Sequence, residues 1–396
     1  MTAPALTRVL RALNAGPVDV RIVGGAVRNA VMGIPVTEID LATPELPARV
    51  TERLIAAGLK AVPTGIAHGT VMGVVDGATF EITTLRRDTA CDGRHAEVAF
   101  TTDWREDAGR RDFTMNALSM TPAGTVCDEH GGWDDAKAGR VRFVGAPADR
   151  MQEDYLRILR LFRFFAWYGR VPIDAETLTA CRAHVGGLAR LSGERVQQEL
   201  CKLLSAPQPV EAVKLMAACG VLAQVLPEAR DISVLAALVR IEPEVDWLRR
   251  LAALVPSGAM DVADRLKLSN AARERLYALT TTEPVLNDHT DPLILRRALY
   301  HFGAPLVADR VLLAWARAVD ADPGPWRALL SAAAAWTPKT LPVGGEDVLG
   351  FGVKPGPAVG RFLVGVEEWW IGAGFTPGRD EALTHLQHLI NQAADN

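Results

Sequence analysis

The sequence predicts an α+β protein: a sheet-bearing first part joined to a longer all-helical remainder. Three observations carry this. Short β-rich runs broken by turn residues fill residues 21–144. Beyond 144 the strand signals fade and helical spacing takes over. Six of the nine tryptophans (Trp247, Trp315, Trp326, Trp336, Trp369 and Trp370) lie after residue 240, in a stretch rich in Ala and Leu.

Taken in order, Arg21–Val23 is a brief apolar strand that ends in Gly24-Gly25. Residues 27–32 read as a short helix stopped by Gly33, which suits the left-handed position after a helix end. A second strand spans 39–42, and a helical pattern over 45–57 closes at Gly58. Residues 70–75 and 79–85 flank Asp76-Gly77, a strong short hairpin signal. Further on, 152–168, 175–185, 193–204 and 209–218 read as consecutive helices. Proline- and glycine-containing segments at 323–325 and 338–345 are predicted linkers.

A chain of 396 residues exceeds one compact core, so several domains are expected. Hydrophobic residues at 49% and charged residues at 23% exclude wholesale disorder. No run approaches the ~18 apolar residues of a membrane span. Near the N-terminus, Arg8 and Arg11 interrupt Leu6, Val9, Leu10 and Leu13 at helical spacing, unlike a secretory signal. A soluble, cytoplasmic protein without a membrane partner is expected. Five cysteines without a Cys-x-x-Cys pair predict free thiols, not a disulfide framework or zinc ribbon. The charge balance of 43 basic against 47 acidic residues argues against a nucleic-acid-binding whole surface, yet leaves room for a local basic groove.

The chain lacks a Walker A loop, Gly-x-Gly-x-x-Gly, His-Glu-x-x-His and Gly-x-Ser-x-Gly. His385 and His388 stand at helical i, i+3 spacing, which without a third ligand is more often a surface pair than a metal site. What remains is a glycine turn, Gly24-Gly25, feeding a helix that carries Arg28. Such a turn lets phosphate approach backbone N–H groups, though an ordinary tight turn has the same composition. The next strand segment carries Glu38 and Asp40, two residues apart and so on one face. Paired carboxylates suit hard divalent cations; a solvated acidic rim is the bland alternative. In the hairpin, Phe80 and Ile82 point one way and Glu81 the other, so Glu81 can join the acidic face. Phosphate cradle plus carboxylates together point to metal-assisted nucleotidyl transfer.

Val23-Gly24-Gly25-Ala26-Val27-Arg28-Asn29, followed by Glu38-Ile39-Asp40-Leu41-Ala42-Thr43, resembles the head motif of class II tRNA nucleotidyltransferases, the CCA-adding enzymes and bacterial poly(A) polymerases. The resemblance continues in order through Arg110-Arg111-Asp112-Phe113-Thr114-Met115-Asn116-Ala117, then Asp128-Glu129-His130-Gly131-Gly132-Trp133-Asp134-Asp135. It ends with Glu153-Asp154-Tyr155-Leu156-Arg157 and Glu194-Arg195-Val196-Gln197-Gln198-Glu199. Gly345-Glu346-Asp347 through Gly356-Pro357-Ala358-Val359-Gly360 is similar to the tail of bacterial CCA enzymes. Residues 225–340 match no motif. Two positions depart from the pattern: Glu38 stands where the family usually has Asp, and Asn29 where it often has Asp.

The resemblance implies a polymerase-β-like head over 1–145, a helical neck over 146–205 that reads the base, a helical body over 206–325 and a tRNA-binding tail over 326–396. It implies addition of C, C and A to the tRNA 3′ end from CTP and ATP, with Mg²⁺ held by Glu38 and Asp40 and with Glu81 as a third catalytic carboxylate. Gly24, Gly25, Arg28, Arg111, Arg160 and Arg163 would bind triphosphate or ribose, and Asp112 and Asn116 would brace the site. Asp154 and Arg157 would read the base. An ionised Asp only accepts and suits the exocyclic amine of C or A; an Arg only donates and suits N3/O2 of C or N1 of A. From spacing alone, Asp154, Arg157 and Arg160 lie at i+3 steps on one helix face, where a solvated Asp–Arg pair is the plain alternative. The polar segment 86–94, with Arg86, Asp92, Gly93 and Arg94, is similar to the family's flexible loop for switching from C to A. Lys354 and Arg361 flank a helix start that could hold an RNA phosphate. A poly(A) polymerase and a non-catalytic tRNA-binding protein with a degenerate head are the alternatives.

Overall fold

The computed structural model describes residues 4–14, 19–65, 68–91, 96–229, 231–281, 283–318 and 320–394. It forms two compact units, 1–229 with 265–267, and 230–264 with 268–396.

The first unit is built on a seven-stranded sheet. Its strands are β1 (Arg21–Val23), β2 (Asp40–Thr43), β3 (Lys60–Gly65), β4 (Thr70–Val75), β5 (Ala78–Thr84), β8 (Ser119–Met120) and β9 (Val126–Cys127), in the order β3-β4-β5-β2-β1-β8-β9. Only β2 and β5 pair in parallel; every other neighbour is antiparallel. The β4–β5 turn has Asp76 and Gly77 both at positive φ (50° and 80°), as a two-residue hairpin of this hand requires. A separate ribbon pairs β6 (Arg86–Cys91) with β7 (Ala96–Phe100).

Alternation in β5 divides core from solvent: Phe80 and Ile82 are buried, and Glu81 between them is exposed. Helices α1 (Pro4–Leu13) and α3 (Pro47–Ala56) cover the sheet, burying Leu6, Leu13 and Leu54 with Leu41, Val71 and Ile82. Helix α2 (Gly25–Met32) leaves β1 directly and ends at Gly33, which takes φ 70° and donates its N–H to Ala30 O. The short helices α4 (Trp104–Gly109) and α5 (Gly132–Ala138) complete the head.

Still within the first unit follow α6 (Pro147–Glu153), α7 (Leu156–Tyr168), α8 (Ala175–His184) and α9 (Gly193–Leu204), then α10 (Val210–Ala218) and α11 (Val221–Val225). The single helix expected over 152–168 is a correction. Asp154 breaks it, with an extended backbone (φ −153°, ψ 109°) and a carboxylate that accepts the Leu156 N–H at 3.0 Å. A side chain that satisfies the first N–H groups of a new helix competes with continuation of the old one. Asp154, Arg157 and Arg160 therefore do not form a single helical stripe.

The second unit runs through α12 (Ile232–Ile241), α13 (Trp247–Leu254), α14 (Ala259–Arg265, whose last residue falls in the first unit), α15 (Asn270–Thr280), α16 (Pro292–Phe302), α17 (Ala304–Arg317), α18 (Pro323–Ala334), α19 (Gly345–Gly350), α20 (Pro357–Gly372) and α21 (Arg379–Ala394). One core gathers Leu295, Leu299, Val307, Val311, Trp326 and Leu329; another gathers Val343, Val348, Val366 and Leu386. The linker expected at 323–325 is instead the start of α18. Pro323 stands where its missing N–H costs nothing, and Asp322 accepts the Gly324 N–H. A body–tail boundary at 325/326 would cut this helix. Likewise 205/206 falls inside the first unit, where α10 packs on α7. No helix among the described residues is long and apolar enough to cross a membrane.

Candidate active site

Asp40, at the start of β2, is the register partner of Glu81 in β5. Both reach solvent on the same side of the sheet. Glu38 lies just before β2, not within it, so strand alternation does not place it; its charge nevertheless acts on Asp40. Partial withdrawal from water, then the like charges of Glu81 and Glu38, hold the Asp40 carboxyl above the usual carboxylate range, while Arg111 opposes them.

The glycine turn adjoins these acids. Gly24 follows β1, donates its N–H to Leu118 O at 3.0 Å, and takes φ 67°, ψ −127°. A Cβ there would come within 3.0 Å of Arg111 Nη1. Arg111 is steadied by Asp107, which accepts from its Nη2 at 3.2 Å and from Arg110 Nε at 3.0 Å. Burial pushes the Asp107 carboxyl up, but Arg110, Arg111 and the Arg86 N–H outweigh it and hold it below the ordinary range. The 110–111 backbone is pinned in turn by Arg150, whose Nη2 donates to the carbonyls of Arg110 (2.6 Å) and Arg111 (2.9 Å).

Arg28 is almost fully buried. Its Nη1 donates to Asn116 Oδ1 at 2.6 Å, its Nη2 to Asn29 Oδ1 and Tyr168 Oη at 2.8 Å each, and its guanidinium lies 4.0 Å from the Tyr168 ring centroid. Asn29, where an Asp is usual in the resembling family, thus orients Arg28 without neutralising it. Asp112 accepts from Asn116 Nδ2 at 2.9 Å, from the Phe113 N–H at 2.8 Å and from Arg160 Nε at 2.8 Å. Glu199, also buried, pairs with Arg163 and, at 3.7 Å, with Arg160. Arg28, Arg160 and Arg163 all surround the Phe164 ring, at 5.3, 5.5 and 4.5 Å from its centroid. Three guanidiniums oriented by neighbouring acids and amides form a cationic wall suited to phosphate.

The proposed base-reading pair is arranged differently from the sequence expectation. Asp154 accepts from Arg195 Nη2 at 2.7 Å. Arg157 is turned away: its Nη1 pairs with Glu153 and donates to Arg150 O at 3.1 Å, and its Nη2 donates to Arg110 O at 3.4 Å. The side chains of Asp154 and Arg157 share no hydrogen bond or ion pair, so the plain intrahelical pair is also excluded. Arg195, Glu199 and Asp107 are positioning residues that sequence reasoning did not single out. The Glu-Arg-Val-Gln-Gln-Glu run was the signal for the first two.

The segment expected as a loop over 86–94 begins as strand β6. Arg86 donates its backbone N–H to Asp107 Oδ1 at 3.2 Å and its Nη1 to His68 O at 2.7 Å. Asp92, Gly93 and Arg94 lie outside the described residues. In the second unit, Lys354 and Arg361 are exposed around the start of α20, where Gly356 is the cap and Pro357 the first helical residue.

Among the described residues no group of three or more His, Cys, Asp or Glu is drawn together tightly enough to hold a metal alone. The donor set still fits a hard cation. Glu38 and Asp40 offer oxygen only, and Mg²⁺ is ordinarily held by one or two carboxylates with waters and substrate phosphates. The like-charge crowding on Asp40 is relieved by such an ion.

Residues 20–142 match the poly A polymerase head domain family, and residues 171–232 match the family described as the probable RNA and SrmB-binding site of polymerase A. The mitochondrial CCA tRNA nucleotidyltransferase 1 of Mus musculus is 33% identical over 391 residues, covering 93% of this chain and 86% of that protein. The CCA-adding enzyme of Levilactobacillus brevis is 31% identical over 390 residues, 95% of each. The solved Bacillus stearothermophilus CCA-adding enzyme in complex with CTP matches over 100% of both chains, with a TM-score of 0.81 at 27% identity. Likeness along the whole length, over a sheet that sets two carboxylates beside a glycine turn and a cationic wall, places this chain in the class II tRNA nucleotidyltransferase family of the CCA-adding enzymes.

Proposed function

We propose that this protein is a CCA tRNA nucleotidyltransferase, extending the tRNA 3′ end with C, C and A from CTP and ATP and releasing pyrophosphate. The observation that carries this reading is the in-register opposition of Asp40 and Glu81 beside Gly24 and Arg111. Mg²⁺ bound by Glu38 and Asp40 would supply activation of the RNA hydroxyl and stabilisation of the leaving pyrophosphate.

The chain's own residues orient the reactants. The Gly24-Gly25 turn admits phosphate oxygens close to the backbone, and Arg28, Arg111, Arg160 and Arg163 align the triphosphate and ribose. Asp154 accepts the exocyclic amine shared by C and A. Arg157 completes the pair by swinging from Glu153 to the base edge. Uracil and guanine set a carbonyl against Asp154 and leave buried polar groups unsatisfied, at ~1–3 kcal/mol each. Lys354 and Arg361 hold RNA phosphate, and residues 86–94 act in the switch from C to A. Free thiols at Cys127, Cys181, Cys201 and Cys219 support a reducing, cytoplasmic setting.

The poly A polymerase head match favours one second reading, a poly(A) polymerase. Incubating tRNA that lacks its 3′ end with each nucleotide separately divides the two. CCA synthesis requires incorporation of C from CTP alone; failure to incorporate any C eliminates it. Deletion of residues 89–94 should block terminal A while sparing C, and unaffected A addition contradicts the loop's role.

A further inference from the structure

Arg28 is held differently from its cationic neighbours. Arg160 pairs with Asp112 and Arg163 with Glu199, so each has a carboxylate in direct contact. Asp154, which also acts on Arg160, is itself paired with Arg195. Among the described residues no carboxylate touches Arg28; every acceptor it meets is neutral. Asn29 Oδ1 accepts from Nε at 3.1 Å and from Nη2 at 2.8 Å, Asn116 Oδ1 from Nη1, and Tyr168 Oη from Nη2. Three guanidiniums thus face two carboxylates, and the surplus positive charge falls on Arg28.

That surplus lies against the glycine turn. A Cβ at Gly25 would stand 3.5 Å from Arg28 Nη2 and 3.9 Å from Nη1. The Tyr168 ring covers the guanidinium, at 4.0 Å. Asn29 turns its amide oxygen to Arg28 because its Nδ2 donates to Pro35 O at 3.1 Å. Burial pushes the Arg28 pKa down; Tyr168 and Asp112 oppose this, while Arg163 and Arg160 add to it. An arginine stays charged all the same. A buried cation among neutral acceptors is completed by an anion that comes close to it.

We infer that Asn29 and Tyr168 are positioning residues that set affinity for the nucleotide triphosphate: as neutral acceptors they hold the Arg28 guanidinium against the Gly24-Gly25 turn and leave its charge to the phosphates. The inference rests on the nucleotidyl-transfer reading for the identity of the polyphosphate. A carboxylate at position 29 would offer Arg28 the same oxygen with a negative charge and neutralise it within the protein.

The test is calorimetric titration of the full chain with inorganic tripolyphosphate at fixed Mg²⁺, over a range of KCl concentrations. The parent should bind one tripolyphosphate per chain. Asn29→Asp should weaken it by about tenfold or more. It should also flatten the dependence on KCl, because one positive charge is withdrawn from the site. KM for CTP and for ATP should rise by a like factor, with a smaller change in kcat. Tyr168→Phe keeps the ring and the charge but removes the acceptor. It should weaken tripolyphosphate by about fivefold and retain the parent's KCl dependence. Absence of tripolyphosphate binding by the parent, or affinity indifferent to either substitution, overturns the proposal. So does weaker binding by Asn29→Asp with undiminished KCl dependence, which would trace the loss to the broken Pro35 contact. A parent that binds tripolyphosphate and responds to both substitutions, yet incorporates no C from CTP, overturns the CCA reading alone and leaves this inference standing.

Discussion

Asp40 and Glu81 stand directly opposite each other across the one parallel strand pair of the sheet, although 41 positions separate them in the chain. The crossover through α3, β3 and β4 brings them together. Partial burial, then the like charges of Glu81 and Glu38, raise the Asp40 pKa, a perturbation of the kind that gathers at functional sites.

Asp40→Asn should therefore lower the rate of C and A incorporation by at least about 100-fold, the scale seen when a group stabilising developing charge is lost. Glu81→Gln should act in the same direction. Filter binding of tRNA should be unchanged in both. A parallel fall in tRNA affinity would mean that the acids support the RNA site, not the chemistry.

Gly24→Ala should cost about 1–3 kcal/mol of stability, because φ 67° with ψ −127° strains any residue bearing a Cβ. It should also displace Arg111, 3.0 Å from the added carbon, and raise KM for both nucleotides. Gly33→Ala is the control: φ is 70° but the space is open, so activity should survive a milder loss. Chemical denaturation and steady-state kinetics of the two variants read the difference.

Arg195→Met should loosen Asp154, which it holds at 2.7 Å, and increase misincorporation of U and G more than it changes KM for CTP. Asp154→Ala should relax base choice further. Equal loss with all four nucleotides in both variants would show that neither residue takes part in selection.

Asp112→Asn should cost about 3 kcal/mol at neutral pH, the lower end for breaking a buried ion pair. Burial pushes the Asp112 carboxyl up, but Arg160, Asn116 and the Phe113 N–H outweigh it and leave the pKa below the ordinary value. A depressed pKa contributes stability above the unfolded value, near pH 4, and loses it as pH falls through the folded one. The gap between parent and variant in urea midpoint should thus be full at pH 7 and shrink below pH 4. A gap independent of pH would assign the effect to packing.

The acidic face was legible because local chemistry encodes it. Phe80 and Ile82 flank Glu81 at strand period, and Asp76-Gly77 fixes the hairpin register. Gly33 announced its helix end for the same local reason. The break at Asp154 was not legible. A carboxylate that bonds the backbone two residues on defeats a helical pattern that continues on both sides. Pro323 was equally ambiguous, since proline suits both a linker and a first helical turn.

By itself the sequence determined the glycine turn, the hairpin, the division between sheet and helices, and the residue types of the site, since turn chemistry, periodicity and motif order are local. Only the tertiary structure decided the partners. It set Asp40 against Glu81, gave Asp154 to Arg195 and placed Glu199 under two arginines. Those choices depend on which distant segments share a sheet edge or a helix interface, where charge and hydrogen bonding act through space with no regard to separation along the chain.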